Sequence, residues 1–217
     1  FDEVILYLNE SIDATEDIAK SFENVNIIHG EFIGFGPTKN KAASFSKHDW
    51  ILSLDSDEMM NAKLIEEIAH ADFSNEANVF VLKRDNYFLG ANTRSKDYIV
   101  RIYNKKHTAL NDNMVHEKVM LHENTQKIAL KTSFKHLNIT DINQTMSKMM
   151  KYTSLAAEGK KTCFFPIVIG KALFAFFKSY ILKLHILDGW RGYVIAKTEA
   201  NSRFYRYLKQ YINCKER

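Results

Sequence analysis

The chain has 217 residues, 46% hydrophobic and 12% aromatic, with only eight Gly and two Pro. That composition builds a sizeable core and excludes a disordered or fibrous chain. Net charge is +4, but residues 1–141 carry −6 and residues 142–217 carry +10, so the two segments are expected to face different partners.

Cys163 and Cys214 are the only cysteines and form no CxxC. Their separation argues against a disulfide framework and a cysteine zinc site, and for a reducing compartment. No signal peptide is visible. The chain opens on Phe1, directly before a strand-like run, so a segment upstream of it is expected.

In chain order, Val4-Ile5-Leu6-Tyr7-Leu8 reads as a buried parallel strand. A polar turn and a short helix over residues 15–22 follow, then a second strand over residues 25–29. Gly34-Phe35-Gly36-Pro37 reads as a loop, with Thr38 capping a helix that runs to Phe45. A third strand, residues 50–54, ends in Asp55-Ser56-Asp57-Glu58, and Asn61 caps a helix over residues 62–69. This alternation predicts an α/β fold with a mostly parallel sheet flanked by helices. Residues 79–84 and 99–104 read as further strands. From Ile142 the pattern becomes helical, over residues 146–158, 167–187 and 193–211, giving an α/β domain at 1–141 and a C-terminal helical region at 142–217. The longest uncharged stretch of the apolar part is residues 162–170, against about 20 residues for a bilayer span, so no span is expected.

Four groups of residues can carry chemistry. Asp55 and Asp57 follow an apolar strand, where ligands of open α/β sheets bind. Two carboxylates at i and i+2 can hold Mg²⁺ or Mn²⁺ against a diphosphate. They also suit a helix N-terminus, which favours acids. The glycines before Lys39 and Asn40 offer backbone N–H groups to an anion, without the spacing of a P-loop; a plain capped junction reads the same way. His116 and Glu117 could supply a metal ligand and a general base. Arg84, Arg94 and Arg101 could grip phosphate or carboxylate, or lie on the surface.

In order and spacing these motifs resemble family 2 glycosyltransferases of the nucleotide-sugar-binding GT-A (Rossmann-like) fold, in particular a bacterial branch that builds lipopolysaccharide core. The matching stretches are the acidic turn Asn9-Glu10-Ser11-Ile12-Asp13-Ala14-Thr15, residues 34–42, and Asp49-Trp50-Ile51-Leu52-Ser53-Leu54-Asp55-Ser56-Asp57-Glu58. Further on come residues 84–90, Arg101, Val115-His116-Glu117 and an isolated His136.

The resemblance implies transfer of a sugar, with inversion, from a nucleotide-diphospho-sugar donor. The acceptor would be a bacterial surface glycan or a lipid-linked glycan. It implies Asp57, with Asp55 nearby, as holders of a divalent cation (Mg²⁺ or Mn²⁺). Lys39, Asn40, Asp55, Arg84 and Arg101 would contact substrate. Glu117 would be the base that deprotonates the acceptor, with His116 the alternative as metal ligand or phosphate contact. The family's first strand and nucleobase loop have no counterpart here and would precede Phe1. Leu8 stands where the family often has Asp, leaving Asn9 or Asp13 to take that place.

The basic tail, residues 163–211, interleaves Lys and Arg with aromatics. It can lie in a membrane interface, or pack on the α/β domain or on a second copy as a homodimer. The acidic first segment argues against nucleic acid. A cytoplasmic protein, peripheral at the inner face of a bacterial membrane, fits this reading. Two alternatives stand beside it: a catalytically degenerate membrane-associated module, and a nucleotidyltransferase, which would need a basic Gly-rich triphosphate loop not seen here.

Overall fold

The computed structural model describes residues 1–113 and 117–216, the side chain of Asn138 excepted. Seven strands and six α-helices follow one another among them. In order these are β1 (Val4–Leu8), α1 (Thr15–Ala19), β2 (Val25–His29), α2 (Phe35–Ser44), β3 (Trp50–Leu52), β4 (Glu58–Met59) and α3 (Ala62–Ala69). Then come β5 (Val79–Phe88), β6 (Ala91–Asn104), β7 (Lys127–Ile139), α4 (Ile142–Ala157), α5 (Phe165–Phe177) and α6 (Gly189–Lys215).

The sheet differs from expectation. β1 and β2 pair in parallel as a sheet of their own, and the main sheet has the order β3-β6-β5-β7-β4. Both edge pairs of that sheet, β3 with β6 and β4 with β7, are antiparallel. β5 and β6 are joined by two residues, Leu89 and Gly90, both at positive φ, which is hairpin geometry. A parallel crossover needs a dozen or more residues, so the two-residue connection forces β5 and β6 to run antiparallel. The sheet is mixed.

The chain divides into two compact units. The first comprises residues 1–56, 60–83 and 98–133. Its centre is Val79, Tyr103, Leu110 and Val119, with Ile51 and Val100 packed against them. Trp50, Phe73 and Phe80 add a cluster of rings 4.9–5.8 Å apart. Burial pushes the Tyr103 phenol up to about 12. α3 forms where expected, and the Asn61 side chain accepts the Leu64 N–H at 2.9 Å.

α2 starts earlier than expected. Gly34, at φ 111°, is its N-cap, and Thr38 lies inside the helix with its hydroxyl accepting the Ile33 N–H. Pro37 is tolerated because it falls in the first turn, where its missing N–H has no partner to lose. Asp13 accepts the Thr15 N–H and the Ser11 hydroxyl, both at 3.0 Å, as the start of α1. Asn9 is exposed and Leu8 is buried.

The second unit comprises residues 57–59, 84–97 and 134–217. It therefore takes in the helical C-terminal region together with short pieces of the strands. α5 continues through a π-helical segment, Lys178–Leu182, and a 3₁₀ turn, His185–Asp188, into α6. The single helix expected over residues 167–187 is thus broken. Leu184 at φ 61° and Gly189 at φ 61° supply the reversal.

Cys163 and Cys214 form a disulfide, with Cα atoms 5.5 Å apart. This overturns the expectation against one. They are 51 positions apart in sequence, and the chain between them is folded back on itself by the pairing of α5 and α6, which brings the two ends together. Phe165–Leu182 is long and apolar enough to cross a membrane by length and composition. The lysines that break its uncharged run do not break its helical path.

Candidate active site

In the first unit, chemistry-bearing residues meet around Lys39. The position of this side chain follows from the helix that carries it. Gly36, in the first turn of α2, lies against backbone, and a Cβ there would come within 1.9 Å of the Asn111 carbonyl oxygen. One turn on, Asn40 clamps Leu110 from both sides. Its amide donates to the Leu110 carbonyl at 2.8 Å and its Oδ1 accepts the Leu110 N–H at 3.0 Å. Asn40, expected to contact substrate, is here a backbone clamp.

These two contacts fasten α2 to the segment leading to Glu117, and Lys39 reaches across. Its Nζ is 2.6 Å from Glu117 Oε1 and 2.6 Å from Asp55 Oδ1. The other oxygen of Asp55 is 2.7 Å from Arg101 Nη2. Arg101 sits on β6, where the Ser53 N–H donates to its carbonyl at 2.8 Å, so the chain leaving β3 passes directly over it. The Arg101 side chain is 6% exposed. Burial raises the pKa of Asp55, but the charges of Arg101 and Lys39 and their hydrogen bonds outweigh it and hold the carboxyl below its usual range. The result is a chain of alternating charge, Arg101, Asp55, Lys39 and Glu117, partly closed to solvent. His116, the alternative to Glu117, lies outside the described residues with Val115.

A second polar cluster lies within the second unit. The Leu137 N–H donates to the Asp57 carbonyl at 2.8 Å, and Glu58 pairs in register with His136. The acidic run after β3 therefore enters an edge strand, β4, and not the helix N-terminus that its composition also suited. Asp57 presents a half-exposed carboxylate, with His136 Nε2 at 3.4 Å from its Oδ2.

The opposite face of the imidazole is fixed. Asn86 donates through Nδ2 to Asp97 at 2.9 Å and to the Ser95 carbonyl at 3.2 Å. Its Oδ1 is thereby turned toward His136 Nδ1, 2.8 Å away. An amide oxygen only accepts, so Nδ1 carries a proton and Nε2 faces Asp57. Arg84, expected to contact substrate, bridges Asp97 at 2.9 Å and the fully buried Glu58 side chain at 3.2 Å. Burial raises the pKa of Asp97, but the hydrogen bonds from Asn86 and Arg84, with the charges of Arg84 and His136, bring it below its usual range. Arg94, on the same β6 strand, contributes its backbone N–H to Asp188 at 3.2 Å.

Asp55, Asp57, Arg84 and Arg101 stand out in the sequence, and His136 stands there as an isolated histidine without a role. Asp97 does not stand out, because it lies in a strand stretch that reads as polar surface. The one available signal is that Arg84, Asn86 and Asp97 fall on hairpin strands joined by only two residues, whose alternation sets their side chains on one face of the sheet.

Comparison with known proteins gives one family and one set of relatives. Residues 1–137 match the model described as glycosyl transferase family 2. An uncharacterized glycosyltransferase of Rickettsia prowazekii is 27% identical over 227 residues, covering 96% of this chain and 77% of its own length. Counterparts described in the same words in Rickettsia typhi and Rickettsia felis are each 26% identical, covering 96% of this chain and 77% and 80% of their own lengths.

Proposed function

From the premise that this chain belongs to glycosyl transferase family 2 and is a glycosyltransferase, we propose that it moves a sugar, with inversion, from a nucleotide-diphospho-sugar to a hydroxyl of a bacterial surface glycan or lipid-linked acceptor. Lipopolysaccharide core is the acceptor the motif order favours. The reaction forms a bond from the acceptor oxygen to the anomeric carbon and breaks that carbon's bond to the diphosphate. The acceptor proton must go to a base, and the leaving diphosphate must be met by positive charge.

The observation that supports this most is the pairing of Glu117 with Lys39 beside Asp55. It holds a carboxylate and a cation in one partly buried place, where a base and a phosphate contact are both needed. Glu117 is the base in this reading. Lys39 keeps its carboxylate placed in the resting protein and exchanges part of that pairing for phosphate oxygens when donor binds. Arg101 retains Asp55.

The proposal includes a divalent cation, for which no group of three or more His, Cys, Asp or Glu gathers among the described residues. In this reading Asp57, half-exposed and with His136 Nε2 3.4 Å from its Oδ2, is the carboxylate that would hold Mg²⁺ or Mn²⁺. Mg²⁺ asks only one or two carboxylates of a protein when phosphates complete its shell. A bound cation would supply charge neutralisation on the diphosphate. The proposal extends to the inner face of the cytoplasmic membrane as the place of action. In a reducing compartment Cys163 and Cys214 would stand as neighbouring thiols.

The test is product release from UDP-, GDP- and CDP-sugars with Mn²⁺, by the natural protein and by Asp57→Ala. Release of nucleoside diphosphate, lost in the variant while its circular dichroism stays unchanged, is the expected result. Pyrophosphate release would identify a nucleotidyltransferase instead. Full turnover in Asp57→Ala would remove the metal role.

A further inference from the structure

The hairpin that ends the second unit has an apolar outer face. α5 turns Val168 inward, and its continuation does the same with Ser179; both are fully buried. Leu173 (66% exposed), Phe174 (60%) and Phe177 face out. At helical spacing these three fall within an arc of about 100°, and Lys171 and Lys178 fall within about 60° of its edge. The reversal adds exposed Leu182, Leu187 and Trp190, and the Arg191 guanidinium lies 4.5 Å from the Trp190 ring.

The charge of this stretch of chain is mostly positive. Residues 160–191 hold six basic side chains and one acid, Asp188. Asp188 is turned inward, to the buried His185 at 2.8 Å and to the Arg94 N–H. Of the six, Lys183 is paired, with Glu199 at 2.9 Å.

We infer that this face docks on a lipid bilayer carrying anionic headgroups, lying in the interfacial plane with its leucines and phenylalanines among acyl chains and its lysines at the headgroups. An apolar arc bordered by lysines, with an amphipathic Trp at its end, matches the two halves of such a surface. A second copy of the chain is a poorer complement, because an isologous contact brings two copies of the same net-basic surface together. A span is poorer too. α5 is fastened along α6 by the disulfide and by ring contacts from Phe165 to Tyr211 and from Phe176 to Tyr193, at 5.3 and 5.8 Å. Glu199, Arg203 and Arg206 of α6 would have to enter the hydrocarbon alongside it. The inference does not depend on the sugar-transfer reading.

The experiment is vesicle flotation of the full chain, with phosphatidylcholine alone and with phosphatidylglycerol added. The protein is expected to float with the mixed vesicles, less so as salt rises, with a blue shift of tryptophan emission that Trp190→Phe removes. The exposed-site variant Leu173→Glu/Phe174→Glu/Phe177→Glu is expected to partition at least about tenfold less, with an unchanged circular dichroism spectrum. Four results would overturn the inference. One is no flotation with anionic vesicles, and another is flotation unaffected by the triple variant. The third is binding that survives alkaline carbonate, which marks a span. The fourth is a dimer in sedimentation that the triple variant abolishes while vesicles bind neither protein.

Discussion

The ammonium of Lys39 lies 2.6 Å from the carboxylate of Glu117, so the cation expected to meet phosphate is also the counter-charge of the proposed base. Lys39→Met removes the positive charge between Glu117 and Asp55 at a place only partly open to water. We expect a stability loss of about 1–2 kcal/mol, below the range for a fully buried pair, and a fall in kcat/KM of at least about tenfold. Lys39→Arg should recover most of the stability. Urea titration and initial-rate kinetics on the same preparations separate the two effects.

Acid should loosen the protein through Asp55 and Asp97. Both are held below their usual range in the folded state. Groups with a lowered folded pKa stabilise the fold above their unfolded pKa, about 3.9 for Asp. That contribution is lost as pH falls through the folded value. Thermal midpoints should therefore be flat near neutrality and drop as pH falls below about 4. Asp97→Asn should make that acid limb shallower. A limb of the same steepness in the variant would refute the assignment.

Gly36 has no room for a side chain, since a Cβ would meet the Asn111 carbonyl oxygen at 1.9 Å. Gly36→Ala is expected to cost more than about 2 kcal/mol, because the obstacle is backbone and cannot swing away. Gly170, within α5, has nothing within 4 Å of the same atom, and Gly170→Ala should gain up to about 1 kcal/mol from helix propensity. Chemical denaturation of the two variants provides the contrast.

The disulfide closes a loop of 51 residues, for which chain entropy predicts a stabilisation of up to about 4 kcal/mol. Cys163→Ser, or reduction of the natural protein, should lower the thermal midpoint. Peptide mapping without reductant should recover residues 163 and 214 in one linked species.

Local features were legible where one stretch of chain sufficed. The apolar runs of β1 and β2 and the Asn61 cap of α3 fall where expected, because a strand core and a cap are decided by a handful of neighbours. β4 was not legible. Two residues become a strand only because β7 lies beside them, from Glu58 opposite His136 to Met59 opposite Lys135. β7 itself alternates buried Leu130 and Phe134 with lysines, a pattern that a solvated segment shares. The mixed sheet follows from those pairings, which join residues far apart in the chain.

The site divides in the same way. Asp55, Lys39, Arg101 and Glu117 each stood out within a motif, but their meeting depends on Gly36 and Asn40 pinning α2 to residues 110–111. Neither residue advertises that in its own neighbourhood. The disulfide was unreadable for a related reason: a separation of 51 residues says nothing until two helices are known to run back along each other.

That same bond changes what a cut in the chain would mean. Lys183 lies exposed in the reversal between Cys163 and Cys214, so a protease that severs the backbone there leaves two polypeptides still joined through sulfur. Such a nicked molecule would migrate as one band on a gel run without reductant and as two fragments once thiol is added.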